Sequence, residues 1–314
     1  MSLASPLACR AASPLLEKEA ICCEDEPAIV ARKTVYFVRH GKALHNVVEE
    51  EVKARASAEA QSRGLSKGDA AYDVHLEAAR LEALRDEDLT DPSLAEAGRA
   101  QAEAARQKLE ETSGPKPTVV LVSPMFRTLQ TAAIACPDHM RVQVCDVLRE
   151  RSTGLPCDRV THRGRRIFER MGFNFDGTSG RLCMKSDCEM SEVSTCLPPS
   201  PVYSASPAIG GDLERLLESS GVTDGCMADV EDKPSLRRRT ANIAPLLATV
   251  PDDVICVVTH KGWLRELERG PFARPSAPEF SPGEVRAFHV TVFADGSMDA
   301  VPMDVPSPRA ADGA

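Results

Sequence analysis

Positive charge is in short supply: 38 Lys+Arg stand against 47 Asp+Glu in a chain of 314 residues, a net charge of −9. That balance excludes the broad basic face that nucleic acid or an anionic membrane surface requires. Any anionic ligand must therefore be met by a local cluster of cations. Long apolar runs are lacking too. Runs such as VVLV at 119–122 fall far short of the roughly 20 residues of a bilayer span, so the chain reads as soluble, with no membrane partner. There is no C-x2-C knuckle among the eleven cysteines, which are odd in number and scattered, with Cys256 set in the apolar VICVV. They read as reduced thiols, and the expected compartment is cytoplasmic. Cys183, Cys188 and Cys196 share a loop-like stretch but have no well-placed fourth ligand, so no metal site is expected. The first 28 residues lack the apolar core of a secretory signal, and their acidic residues are out of keeping with a transit peptide. Residues 1–33 are read as a disordered leader. No internal repeat is found.

What is present is an alternation. Runs rich in Val and Ile at 35–38, 119–122 and 254–258 each end at once in a polar or Gly/Pro turn, as buried parallel strands do. Between them, PSLAEAGRAQAEAARQKLEET spaces Leu94, Ala97, Ala105 and Leu109 helically, with Asp91 or Ser93 as its cap. RTLQTAAIA after Arg127 reads as a helix, and so does SLRRRTANIAPLLATV, blemished by Pro245. The pattern predicts an α/β fold: three α/β/α layers around a mostly parallel sheet, with one domain over 34–300 and a tail at 301–314. VRAFHVTVFADG is placed as a late edge strand. Two segments break the rhythm, an Ala-rich charged stretch at 54–85 read as a helical insert and a Gly/Ser/Pro-rich stretch at 171–211 read as a loop insert.

In open α/β sheets ligands sit beyond the carboxyl ends of the strands. The residues that follow the runs are Arg39, His40 and Gly41; Ser123, Pro124 and Arg127; and Thr259, His260, Lys261 and Gly262, with Arg149 and Glu150 after Val147 and Leu148. Each type has a use on a phosphate ester. A neutral imidazole attacks phosphorus through one nitrogen while the other donates to a backbone carbonyl, and His40 is the candidate. Arg39, Arg127 and His260 suit the non-bridging oxygens. Glu150 suits the proton of the leaving group, and Gly41 leaves room for close backbone approach to the phosphate. The Arg-His-Gly tripeptide alone is weak evidence; strand-then-His occurring twice, with SPMFRTLQTA between, is what carries it.

VRHG with Asn46 beyond it, DLTDPSLAEAGRAQA, SPMFRTLQTA, LRERSTGLPCD and VVTHKGWL, in this order, resemble the motifs of the histidine phosphatase superfamily, also called phosphoglycerate mutase-like. SPGEVRAF is similar to its closing segment. The resemblance spans roughly residues 34–268. It implies a phosphoglycerate mutase-like fold and a phosphohistidine on His40, with Arg39, Arg127, Gly41 and Asn46 about the phosphate, His260 beside it and Glu150 as proton donor. It implies no metal and no organic cofactor. Lys261 stands where the acid-phosphatase branch places an aspartate, and Lys42 where the family often has an acidic or amide residue. LRERSTG and HKGW replace the stretches of cofactor-dependent mutases.

The expected function is a phosphomonoester hydrolase acting on a phosphorylated small molecule or a phosphoprotein. A mutase-type phosphotransferase and a catalytically weak binding or scaffold protein are the alternatives. Neither substrate nor oligomeric state is readable. Arg237, Arg238 and Arg239, and the basic stretch 162–166, read as solvated faces. His45 is left open between pocket lining and loop surface, His75, His139 and His289 read as structural, and Trp263 as core packing.

Overall fold

A computed structural model of the chain describes residues 27–136, 140–161 and 230–304. Among the described residues it forms six strands: β1 (Ile29–Arg39), β2 (Val119–Val122), β3 (Arg141–Val144), β4 (Val254–Thr259), β5 (Val285–Phe293) and β6 (Met298–Met303). The helices are α1 (Leu44–Ser62), α2 (Ala70–Leu84), α3 (Glu96–Glu111), α4 (Phe126–Ala135), α5 (Lys233–Ala241), α6 (Ile243–Thr249) and α7 (Lys261–Arg269). Residues 1–26, His139, the basic stretch 162–166, the loop insert at 171–211 and Cys183, Cys188 and Cys196 lie outside the described residues.

The strands make one sheet in the order β3-β2-β4-β1-β5-β6. β3, β2, β4 and β1 are mutually parallel, while β5 and β6 add antiparallel on the β1 side. The apolar runs alternate between two cores. Val35, Phe37, Val119, Leu121, Ile255 and Val257 meet Leu236, Ile243, Leu247, Trp263 and Leu267 of α5 to α7. Tyr36, Val38, Val120, Val122, Cys256 and Val258 meet Ala105 and Leu109 of α3 and Leu129 and Ala132 of α4. Both faces are covered, which is why these strands read as continuous rather than alternating apolar runs. The three-layer α/β/α expectation holds. Phe37 packs edge-on against Phe272 and Phe288, each 5.8 Å away between ring centres. Its truncation to alanine would cost about 3–5 kcal/mol and loosen the strand two residues before Arg39.

Several boundaries differ from expectation, each for a physical reason. β1 starts at Ile29, inside the expected leader, because residues 29–33 pair with β5 before β4 begins at Thr34↔Val254. Ile29 and Val30 are exposed there, and Arg32 and Lys33 interrupt the apolar sequence before Thr34. β5 is not an edge strand, since β6 covers its outer side. β6 was missed because its sequence, MDAVPM, includes Pro302, which an edge tolerates. β3, RVQV, is the half-exposed opposite edge. Neither Asp91 nor Ser93 caps α3, because residues 93–95 pair instead with the chain after β1: Leu44 N–H donates to Ser93 C=O (3.0 Å) and Ala95 N–H to Lys42 C=O (2.9 Å). The expected helix over 235–250 is two helices with a break at Asn242. Pro245 accounts for it, as it has no N–H to continue the ladder back to Ala241. The helical insert is an α1–α2 hairpin whose first helix already starts at Leu44.

Candidate active site

Three strand ends meet at one rim. His40 follows β1, His260 follows β4 and Ser123 follows β2. His40 N–H donates to Thr259 C=O (2.9 Å) and Ser123 N–H to Val258 C=O (3.1 Å), so sheet register itself sets these residues side by side. The His40 and His260 ring centres are 5.1 Å apart. A third histidine, His45 from the first turn of α1, stands 6.4 Å from His40. His40, His45 and His260 are 3, 8 and 0 % exposed, and Arg127 is 1 % exposed. Of the two readings open for His45, its burial near His40 is at odds with loop surface.

Burial, with Arg127 and Arg39 beside it, holds the His40 imidazole well below its ordinary value, against the opposing pull of the Gly41 carbonyl. Burial and the same arginines lower His45. Burial, Arg127 and His40 lower His260. All three rings are neutral near pH 7, and their tautomers follow from their partners. His40 Nδ1 lies 2.7 Å from Gly41 C=O; a carbonyl only accepts, so Nδ1 bears the proton and Nε2 keeps its lone pair. Asn46 Oδ1 accepts from Ala43 N–H (3.1 Å), which turns its amide nitrogen to donate to His45 Nε2 (2.9 Å). The His45 proton is then on Nδ1. Asn46 thereby orients a histidine and the start of α1. Ser123 Oγ lies 2.7 Å from His260 Nε2.

Arg127 reaches the rim from the first turn of α4. It donates to Cys157 C=O (2.7 Å) and sits 3.7 Å from the Asp158 carboxylate. Burial pushes Asp158 up, opposed by Arg127. The start of α4 is held from outside: Asp91 accepts from Phe126 N–H (2.8 Å) and from Thr161 N–H and Oγ–H (3.2 and 2.7 Å). Asp91 does so at φ 43°, an uncommon conformation for a residue with a side chain. Arg39, half-buried, donates to Phe280 C=O (2.7 Å). Four polar atoms around His40 are buried with no hydrogen-bond partner among the described residues: Arg39 Nε, Arg127 Nε, His45 Nδ1 and His260 Nδ1.

Glu150 lies against the first turn of α7, which follows His260. Its carboxylate accepts from Gly262 N–H (3.1 Å) and Arg151 N–H (2.9 Å). A β-carbon on Gly262 would come 2.4 Å from Glu150 Oε1, so glycine at 262 is what admits the carboxyl. The glycine at 41 has a different neighbour from the one expected. A β-carbon there would meet Gly98 C=O at 2.2 Å, and the Gly41 N–H is given to Thr131 Oγ (3.1 Å). Its close approach is to α3, where Gly98 reciprocates against Lys42 C=O at 2.1 Å. Lys42 pairs with Glu50, and Lys261 with Glu279.

The three-arginine run divides. Arg237 binds Glu266 (2.9 Å) and Arg238 is exposed, whereas Arg239 turns inward to the chain around Glu150. Trp263 is fully buried and packs near Phe37, as expected of core. His75 lies 3.6 Å from Glu59, and His289 is exposed on β5. Among the described residues no cluster of His, Cys, Asp and Glu is placed to hold a metal ion, and no helix is long and apolar enough to cross a membrane. Cys136, Cys145, Cys157 and Cys256 are buried.

The mostly parallel sheet thus gathers histidines and arginines beyond its strand ends, where open α/β sheets bind their ligands. Residues 79–169 match the model of the histidine phosphatase superfamily (branch 1), so the resemblance first drawn from ordered motifs is borne out. That match includes Arg127, Glu150 and Asp158; His40 and His260 lie outside it and stand on geometry. No curated protein sequence matches the chain. Among solved structures, the chain is similar to YhfR of Bacillus stearothermophilus at 17% identity, over 88% of this chain and 98% of that one, with a TM-score of 0.45. It is similar to a mycobacterial glucosyl-3-phosphoglycerate phosphatase at 15% identity, over 87% and 98%, with a TM-score of 0.41. A phosphoserine phosphatase of Entamoeba histolytica matches at 14% identity, over 88% and 98%, with a TM-score of 0.42.

Proposed function

We propose that the chain hydrolyses phosphomonoesters through a phosphohistidine on His40. One observation carries the reading. His40 has its proton fixed on Nδ1 by the Gly41 carbonyl, a buried neutral ring, and a free Nε2 among Arg39, Arg127, His45 and His260, whose partnerless N–H groups suit the oxygens of a phosphate.

In the first step His40 Nε2 forms a bond to phosphorus as the bond to the ester oxygen breaks. Arg127 and Arg39 stabilise the charge spreading over the non-bridging oxygens from a buried, pre-set position. With Ser123 donating to His260 Nε2, His260 offers Nδ1–H to the same oxygens, and His45 offers its own Nδ1–H. Glu150 gives its proton to the leaving oxygen. In the second step Glu150 takes a proton from water, the water oxygen bonds to phosphorus, and the phosphorus–nitrogen bond breaks to restore His40. The substrate is a phosphorylated small molecule or a phosphoprotein.

Incubation with p-nitrophenyl phosphate should release p-nitrophenol, and His40→Ala should abolish the release. Undiminished turnover by that variant would sink the nucleophile assignment. Incubation with 3-phosphoglycerate plus bisphosphoglycerate separates hydrolysis from isomerisation.

A further inference from the structure

We propose that Arg239, braced by Glu231, is a positioning residue for the reaction: it holds the main chain of Glu150 so that the carboxyl stays against Gly262, in the turn after His260. This rests on the proton-donor role given to Glu150 above.

The guanidinium has five N–H donors in a rigid fork, and the contacts of Arg239 involve all three of its nitrogens. Nε and Nη2 clasp the Glu231 carboxylate side-on at 2.9 and 2.6 Å. Nη1 donates to Val147 C=O (3.0 Å) and Arg149 C=O (2.6 Å), and Nη2 to Glu150 C=O (3.1 Å). Two further side-chain donors to these carbonyls come from the neighbours of His260. Thr259 Oγ–H donates to Leu148 C=O (2.6 Å) and Trp263 Nε1–H to Val147 C=O (2.7 Å). Every carbonyl from 147 to 150 thus has a donor, and for residues 149 and 150 the side-chain donor is Arg239. At the far end Glu231 N–H donates to Ser152 C=O (2.7 Å). The two side chains are 14% and 15% exposed, so the pair is shielded and its geometry is defined.

Glu150 needs such a hold because, among the described residues, the hydrogen bonds to its own carboxylate come from two backbone N–H groups. If its main chain drifts, the carboxyl leaves the line to the ester oxygen while Arg127 and His40, on other elements, stay in place. Loss of Arg239 therefore removes proton donation and spares nucleophilic attack. Lysine cannot replace it, since one ammonium does not span three carbonyls and a carboxylate.

The test uses the full chain and two esters: p-nitrophenyl phosphate, whose leaving group scarcely needs a proton, and glycerol 2-phosphate, whose leaving alkoxide does. Arg239→Lys should lower kcat on glycerol 2-phosphate about tenfold or more while changing p-nitrophenyl phosphate less than about threefold, with KM little altered on both. Glu231→Gln, which keeps the carbonyl bonds, should shift kcat in the same selective sense by a smaller factor, and it covers the case in which Arg239→Lys does not fold. In the background of Glu150→Gln, either substitution should add almost nothing. Equal losses on both esters, or full additivity with Glu150→Gln, would overturn the positioning role. If Glu150→Gln itself shows no dependence on the leaving group, the donor assignment fails first and takes this inference with it.

Discussion

Acidification should destabilise the folded chain through His40, His45 and His260, and the size of the effect follows from their burial. Each imidazole is held well below its ordinary value by burial, with Arg127 the next cause in every case. In the unfolded chain each binds its proton at about pH 6.5. Below that pH the unfolded state carries up to three more protons than the native state, so stability falls as pH falls. For one such group the loss is at most RT ln(1 + 10^(6.5−pH)), near zero at pH 8 and about 1.4 kcal/mol at pH 5.5. Three groups give about 4 kcal/mol, a large share of the 5–15 kcal/mol that typically separates folded from unfolded domains, as an order of magnitude. Asp91, Asp158 and Glu268 act in the opposite sense. Burial raises all three, so the native state takes up their protons first and regains stability as pH falls through their folded values. The histidine contribution is therefore read as a difference. Urea unfolding followed by far-ultraviolet circular dichroism, at pH 8 and pH 5.5, should show that His45→Gln loses less stability on acidification than the parent chain, by up to about 1.4 kcal/mol, and His260→Gln likewise. A variant that keeps the parent's full pH dependence would refute the claim that its histidine is buried neutral.

Three further outcomes test the site's framework. Gly41→Ala should destabilise the chain by about 3 kcal/mol or more, measured by the same unfolding, because the new carbon would lie 2.2 Å from the Gly98 carbonyl and both neighbours are backbone. Gly262→Ala should change stability by less than about 1 kcal/mol yet lower turnover of glycerol 2-phosphate, since the 2.4 Å clash is with the movable Glu150 carboxyl. Orthovanadate, as an oxyanion probe, should raise the melting temperature of the parent chain, by a stabilisation of about 2.7 kcal/mol at one hundred times its Kd, and leave Arg127→Gln unmoved.

The parts of the fold and site that were legible in the sequence share a cause. The strands at 35–38, 119–122 and 254–258 are covered on both faces, so apolarity alone marks them, and the residues that follow are placed by chain direction. His40, Ser123 and His260 need no more than that. Where burial is one-sided the signal fades. β3 shows half-exposed side chains in RVQV, and β6 carries Pro302 at the sheet margin. Asp91 was legible as a capping residue but not as the cap of α4, because the helix it serves begins 35 residues downstream.

The arginine run at 237–239 shows the limit most clearly. Successive helical residues point about 100° apart, so three adjacent arginines cannot share a surface. Arg237 turns to Glu266 on α7, Arg238 to solvent and Arg239 to the chain carrying Glu150. Reading the run as one solvated face treats it as composition, whereas the helix divides it by angle. Which of the three points inward is fixed by Leu236 and Thr240, the buried residues of α5. Arg239 lies one position before Thr240 and three after Leu236, which sets it at the margin of the apolar stripe. There a long side chain can pack its stem against the core and still carry its charged end to a shielded partner. A basic run across such a margin is thus two kinds of residue at once, and the inward one is found by its phase to the buried positions rather than by its charge.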